Sequence, residues 1–218
     1  MIILDLGSGN TCRNEFGIAR RMIESLTDVD TKRVSTIKWQ LWTRGTEPQC
    51  VRLNWALFKQ AYLYAERRGF QTTASVFDVE ALRYLLTFDV PFVKMANRPY
   101  LRHLTRYVPR GIPIVYSVGS FADYEDLCDD GIQRTDPVLL CVSQYPAHAD
   151  DYKEHLLELT DCDVGISDHT IGFDLWRKYH PAVYEKHLRL ESSTGPDAGP
   201  WAATPSELKE VLDYYATL

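Results

Sequence analysis

Gln71-Thr72-Thr73-Ala74-Ser75-Val76 runs directly into Phe77-Asp78-Val79-Glu80-Ala81-Leu82-Arg83-Tyr84-Leu85-Leu86, and this junction decides the fold. The first six residues are mostly β-branched or small, which suits a strand. Asp78 then supplies an N-cap side chain and Glu80 an acid in the first helical turn. The spacing predicts a helix over 78–88. A strand that hands over to a helix within two residues is one half of a strand–helix–strand unit, whose strands lie parallel.

The same unit recurs on both sides. Candidate strands are Ile2–Leu6, Val34–Trp39, Gln71–Val76, Phe92–Met95, Ile114–Val118, Val138–Val142, Asp163–Ile166 and Val183–Leu188. Most are continuous apolar runs, the mark of strands covered on both faces. Helices are predicted over Asn14–Leu26, Asn54–Arg68, Asp78–Phe88, Ser120–Asp130, Asp150–Thr160 and Phe173–Tyr179, with a weaker pattern over Pro99–Val108. Gly69 follows the second as a C-cap. Thr204-Pro205-Ser206-Glu207 opens the last helix with a capping box and Pro at N1. Eight strands in strict alternation with helices predict an α/β fold, a compact (β/α)8 TIM barrel. A doubly wound open sheet is the alternative. No linker divides the chain, and Glu191–Pro200 reads as the loop after strand eight, so residues 1–218 read as a single barrel domain.

Bulk properties narrow the function. The 218 residues carry 24 Lys+Arg against 30 Asp+Glu, a formal charge of -6. That balance argues against a general nucleic-acid or anionic-membrane binder. The apolar runs Met1–Leu4, Ile112–Tyr116 and Pro137–Val142 are strand-sized, well short of the roughly 18 residues of a membrane helix. Asp5 interrupts the first run and no basic segment precedes it, so no signal peptide is read. Cys12, Cys50, Cys128, Cys141 and Cys162 are scattered without a C-x-x-C pair, which predicts reduced thiols and a cytoplasmic location.

Chemistry in a barrel of this kind sits where strands end. Strand one carries Asp5, strand two Lys38 and Gln40, strand three Ser75, strand four Lys94 and strand five Ser117. Strand six ends in Ser143 and Tyr145, strand seven in Ser167-Asp168-His169, and strand eight in Glu185-Lys186-His187. A lysine inside a buried strand is costly without an anionic partner. Lys38 and Lys94 together, with serines from several strands, predict a pocket for a phosphate or carboxylate. His169 and His187 fall on one rim of neighbouring strands, where two imidazoles can share a metal whose other positions solvent fills. Asp168 and Glu185 are expected to flank them as supporting partners.

These residues resemble a family. Gly165-Ile166-Ser167-Asp168-His169-Thr170 is similar to the G-[LY]-S-D-H-T motif of the N-acetylneuraminate (sialic acid) synthases, kin of the legionaminate and pseudaminate synthases. Tyr184-Glu185-Lys186-His187, Gly195-Pro196-Asp197 and Thr204-Pro205-Ser206-Glu207-Leu208 resemble that family's E-K-H-F…G-P-D…P-x-E-L ending. Val142-Ser143-Gln144-Tyr145-Pro146 resembles V-S-x-Y-P, Ile37-Lys38-Trp39-Gln40 resembles V-K-F-Q, and Ser75-Val76-Phe77-Asp78 resembles S-x-F-D. Pro91–Met95 and Pro113–Gly119 match two further segments, and the order is collinear along nearly the whole chain.

The resemblance implies condensation of phosphoenolpyruvate with the open aldehyde form of an N-acetylated amino sugar, releasing phosphate. It implies a divalent metal, manganese first and magnesium or cobalt as substitutes, on His169 and His187. It implies that Asp5, Lys38, Gln40, Lys94 and Glu185 are catalytic. Ser75, Asn97, Ser117, Ser143, Tyr145, Ser167 and Asp197 would bind substrate. Departures concentrate at the acceptor end. Asp5 stands for Glu, Ser8-Gly9-Asn10-Thr11 for N-H-x-G, and Pro99 for an acidic sugar contact. Leu140-Cys141 lacks the family's histidine. The stretch between Gln40 and Ser75 is short, and the chain ends at Leu218 where family members continue into a small antifreeze-like capping domain. The expectation is a changed acceptor, with a homodimer or a separate capping protein closing the site. A Schiff-base aldolase on Lys94 or Lys186 and a barrel serving as a binding subunit are the competing readings.

Overall fold

The computed structural model describes residues 1–43, 50–130, 136–152 and 164–217. Its strands are β1 (Ile2–Asp5), β2 (Ser35–Leu41), β3 (Gln71–Val76), β4 (Val93–Met95), β5 (Ile114–Val118), β6 (Val138–Cys141), β7 (Val164–Asp168) and β8 (Tyr184–His187). They close a barrel in sequence order, every neighbouring pair parallel, with β8 returning to β1. The predicted (β/α)8 barrel is the fold observed.

The described helices are α1 (Phe16–Val29), α2 (Trp55–Glu66), α3 (Val79–Leu85), α4 (Phe121–Asp129), α5 (Asp174–Tyr179) and α6 (Pro205–Tyr215). The caps read at Asp78 and Thr204 form, and Asn54 and Ser120 prove to be N-caps as well. Asn54 accepts from Ala56 N at 2.8 Å, Asp78 from Ala81 N at 2.8 Å and Ser120 from Asp123 N at 3.2 Å. Thr204 and Glu207 make both bonds of the capping box. Most element ends shift by one to three residues from their predicted positions. The first helix starts at Phe16 rather than Asn14, because Arg13 and Asn14 adopt left-handed φ of 52° and 50°. The weak pattern over Pro99–Val108 is a 3-10 helix, Pro99–Tyr107. Residues 149–152 are helical, and the rest of the predicted 150–160 helix lies outside the described residues, as do Asp163 and Cys162.

Two strands run further than their apolar patterns. The second continues to Leu41 and the seventh to Asp168. Hydrophobicity marks only residues that need covering, whereas the ladder continues wherever a neighbouring strand offers partners. These extensions carry Gln40, Ser167 and Asp168 as strand residues.

Strand parity sorts the side chains. Ile2, Leu4, Ile37, Trp39, Val76, Met95, Tyr116, Ile166 and Tyr184 face out and pack with Ile18, Met22, Phe58, Leu82 and Leu208 from the helices. Ile3, Phe92, Val115 and Leu139, with Val183, form a separate apolar plug inside the barrel near the strand starts. At Gly165 two backbones approach closely: a Cβ there would sit 2.3 Å from Val183 O and 2.6 Å from Leu139 Cδ2. Above this plug the interior changes character.

Candidate active site

The residue two places after each plug position points inward again, one layer higher. From Ile3, Phe92, Val115, Leu139 and Val183 this reaches Asp5, Lys94, Ser117, Cys141 and Glu185. The register adds Lys38 opposite Asp5, Ser75 opposite Lys94, and Ser167 opposite Glu185. A barrel interior is ordinarily filled with Val, Ile and Leu. Here one layer holds two lysines, two acids and three serines, all buried.

The charges are paired. Lys38 Nζ lies 2.8 Å from Asp5 Oδ2, 3.3 Å from Glu185 Oε2 and 3.1 Å from Ser75 Oγ. Lys94 Nζ donates to Ser117 Oγ at 2.7 Å and Met95 O at 2.9 Å, and lies 4.0 Å from Glu185 Oε2. Ser167 Oγ donates to Glu185 Oε1 at 2.9 Å. Burial by itself would raise both carboxyls, but the ammonium of Lys38 overcomes it for Asp5, and Lys38 with Lys94 for Glu185; both stay below the usual carboxylate range. Burial likewise opposes the charge on Lys38, and Asp5 and Glu185 reverse that and push it up. For Lys94, burial, helped by the like charge of Lys38, outweighs Glu185 at 4.0 Å and the more remote Asp5, and its pKa falls.

The rim layer stands above. Gln40 Nε2 donates to Asp5 Oδ2 at 3.0 Å and to Asp197 Oδ1 at 3.1 Å, and Ser8 Oγ reaches Asp197 Oδ2 at 3.2 Å. Burial pushes the Asp197 carboxyl up, more than neighbouring His187 lowers it. Asn97 Nδ2 donates to Ser143 Oγ at 3.1 Å. The His169 and His187 rings lie 5.5 Å apart between centroids, and Tyr145 stands 4.2 Å from His169.

All fourteen residues expected to be catalytic, substrate-binding or metal-binding line one cavity of about 400 Å3. A second cleft of about 730 Å3 beside the 3-10 helix contains none of them. Two supporting expectations fail. Asp168 does not flank the histidines: it accepts from Thr170 N at 2.7 Å, takes the Tyr184 hydroxyl, and pairs with Lys186 Nζ at 3.2 Å. Glu185 serves the lysines instead. Asp168 and Lys186 alternate with the inward residues of β7 and β8, so their side chains fall behind the barrel wall. That position removes Lys186 as a cavity nucleophile.

The histidine pair suits a metal. His169 Nδ1 contacts Val142 O at 2.7 Å, which leaves its other ring nitrogen for a ligand. Burial, helped by His187, lowers its pKa to about 3, so the imidazole is neutral. His187 Nδ1 is buried without a hydrogen-bond partner, 3.8 Å from both Asp5 Oδ2 and Asp197 Oδ1. Among the described residues no three His, Cys, Asp or Glu converge as a closed metal site. A metal on this pair would therefore keep open positions.

Sequence reasoning missed part of the lining. Trp42, Phe77, Arg98, Tyr100, Cys141 and Trp201 also face the cavity. Parity could have found Trp42, Phe77 and Cys141, each two residues beyond an inward position. Trp201 sits in a loop and carries no such signal. Cys12, Cys128 and Cys141 are free thiols. No described helix is long and apolar enough to cross a membrane.

Comparison with known proteins agrees with this architecture. The NeuB family model matches residues 24–218. The N-acetylneuraminate-9-phosphate synthases of Homo sapiens and Mus musculus are each 25% identical over 189 residues, 78% of this chain. The chain spans about half the length of these curated relatives, 51%. The crystal structure of N-acetylneuraminic acid (sialic acid) synthetase from Leptospira borgpetersenii superposes with a TM-score of 0.81 at 22% identity, covering 99% of this chain and 82% of that one. The spore coat polysaccharide biosynthesis protein SpsE of Bacillus subtilis gives 0.76 at 18%, covering 100% and 67%.

Proposed function

This chain belongs to the NeuB family, and on that premise we propose that it joins phosphoenolpyruvate to the aldehyde carbon of a sugar-like acceptor and releases phosphate. One observation carries the reading. The barrel layer that should be aliphatic instead holds Lys38 and Lys94 among Ser75, Ser117 and Ser167, with Ser143 above them. Two buried ammonium groups and several hydroxyls suit a small ligand bearing both a phosphate and a carboxylate.

Lys38 and Lys94 bind the two anionic groups, and the serines and Asn97 orient them. This clamp aims C3 of the enol at the acceptor and removes the entropy cost of their meeting. The C2=C3 π pair forms the carbon–carbon bond to the aldehyde carbon, the carbonyl π pair becomes an alkoxide that takes a proton from solvent, and C2 is left electron-deficient. Water adds at C2, and phosphate leaves with cleavage of its C–O bond. Glu185, held ionised between the lysines, takes the proton of that water, and Asp5 keeps Lys38 charged. Gln40, Tyr145 and Asp197 contact the acceptor. His169 and His187 hold a divalent cation, Mn2+ by preference, which supplies Lewis-acid polarisation of the aldehyde when bound.

Incubation with Mn2+, phosphoenolpyruvate and a panel of N-acetylated sugars is expected to release inorganic phosphate only when an acceptor is present. No release with any acceptor, together with no phosphoenolpyruvate binding, would overturn the proposal. Lys94 favours one second reading, since its lowered pKa suits a Schiff-base nucleophile. Borohydride with acceptor should trap no adduct on Lys94; a trapped adduct would establish the aldolase instead.

A further inference from the structure

The turn that carries His169 is fixed by groups outside the cavity. Strand β7 ends at Asp168, so His169 and Thr170 lie beyond the ladder and their buried backbone groups need other partners. Tyr152 supplies two of the bonds. Its hydroxyl donates to Ser167 O at 2.7 Å and accepts from His169 N at 3.1 Å. A neighbouring loop supplies a third, from Ala147 N to His169 O at 3.0 Å. Behind the wall, Lys186 Nζ donates to Thr170 O at 2.6 Å.

Tyr152 is fully buried and packs in the apolar layer outside the barrel. A buried phenol must place both its proton and a lone pair. Here both go to the two residues that flank Asp168, and both of those residues line the cavity. Burial pushes the hydroxyl pKa far up, so it keeps its proton and stays a donor. The His169 ring is held from the opposite side, where Nδ1 meets Val142 O at 2.7 Å. A carbonyl oxygen only accepts, so the neutral imidazole carries its proton on Nδ1 and leaves Nε2 bare. Backbone and ring are thus tied separately, and the imidazole has one setting. Without the Tyr152 oxygen, Ser167 O and His169 N lose this partner in a dry interior, and the turn must shift to find others.

We propose that Tyr152 is a positioning residue, whose hydroxyl fixes the turn that aims the His169 imidazole for metal binding. The inference rests on the reading above that His169 and His187 hold a divalent cation. Removing an outer partner of a metal ligand typically weakens metal binding by about 10–100-fold.

Tyr152→Phe deletes one oxygen and keeps the ring, so the core stays filled. Tyr184→Phe is the comparison: it deletes an equally buried hydroxyl that bonds to Asp168. In protein freed of metal with a chelator, proton NMR at neutral pH should show the His169 Nδ1 proton as a slowly exchanging imidazole resonance, identified by its loss in His169→Ala. Tyr152→Phe should speed that exchange about tenfold, the worth of one buried hydrogen bond, while Tyr184→Phe leaves it unchanged. Calorimetry with Mn2+ should show affinity weakened by about tenfold or more in Tyr152→Phe and kept in Tyr184→Phe. Equal exchange in wild type and Tyr152→Phe overturns the inference, and so does unchanged Mn2+ affinity. Equal effects of the two phenylalanine variants overturn it too, since the hydroxyl then acts only on general stability. A wild type without the resonance overturns the ring geometry on which the inference stands. A wild type that binds no Mn2+ is instead a failure of the functional reading. The exchange rates then decide alone: faster exchange confined to Tyr152→Phe supports the positioning of His169, and unchanged exchange overturns it.

Discussion

Lys38 neutralises two buried carboxylates at once, Asp5 and Glu185. Replacing it by methionine removes the cation and leaves both acids in a dry interior. The expected loss is about 3–5 kcal/mol of stability at pH 7, measured by denaturant titration. The deficit should shrink as pH falls and the acids protonate, and Asp5→Asn should recover part of it in the double variant. Glu185 has its own signature. Its folded pKa lies below the unfolded value of about 4.3, because Lys38 and Lys94 outweigh burial. The stability it contributes is complete above that unfolded value and is lost as pH falls through the folded one. Glu185→Gln should therefore lower stability at pH 7 and flatten the acid limb of the stability–pH curve. An unchanged acid limb would place the sensitive group elsewhere.

Elements are set by short local signals and by a few close approaches. Thr204 caps α6 and Glu207 returns the bond. Thr204→Ala is expected to cost about 1 kcal/mol, seen in thermal or chemical unfolding, without affecting phosphoenolpyruvate binding. Gly165 belongs to a different class. Its missing Cβ lets β7 approach Val183 of the β8 segment and the Leu139 side chain. Gly165→Ala should destabilise by about 1–3 kcal/mol through overpacking, and by spreading β7 from β8 it should weaken phosphoenolpyruvate binding as well. The caps at Asp78 and Thr204 were read before the fold was known, whereas the close approach at Gly165 was not. The ends of β2 and β7 were not, because polar strand residues facing the barrel interior break an apolar pattern without breaking the ladder.

At the scale of the whole molecule the barrel brings residues from all eight strands to one cavity. A ligand that binds the folded cavity and not the unfolded chain must raise stability by mass action. Phosphoenolpyruvate at a hundred times its Kd should add about 2.7 kcal/mol, and Lys94→Met should abolish that gain. His187→Ala should lose divalent-metal binding, measured by calorimetry with Mn2+, while its far-ultraviolet circular dichroism stays that of the parent. Unchanged metal affinity would separate the histidine pair from the metal.

The sequence by itself determined the barrel and its inward polar layer. The alternation of strands and helices has a fixed period, and inward residues recur every second position, so local reading is enough. It also brought out Asp5, Lys38, Lys94, Glu185 and their companions, because a charged residue inside an apolar strand is costly and therefore conspicuous. Only the tertiary structure decided who pairs with whom. Glu185 turned from the histidines to the lysines, and Asp168 and Lys186 went behind the wall. Trp201 reached the cavity through a loop whose path no periodicity encodes. Distances between strands remote in sequence are set by barrel closure, and loop conformation by close approaches such as Gly199 beneath the indole. Neither is written in any local pattern.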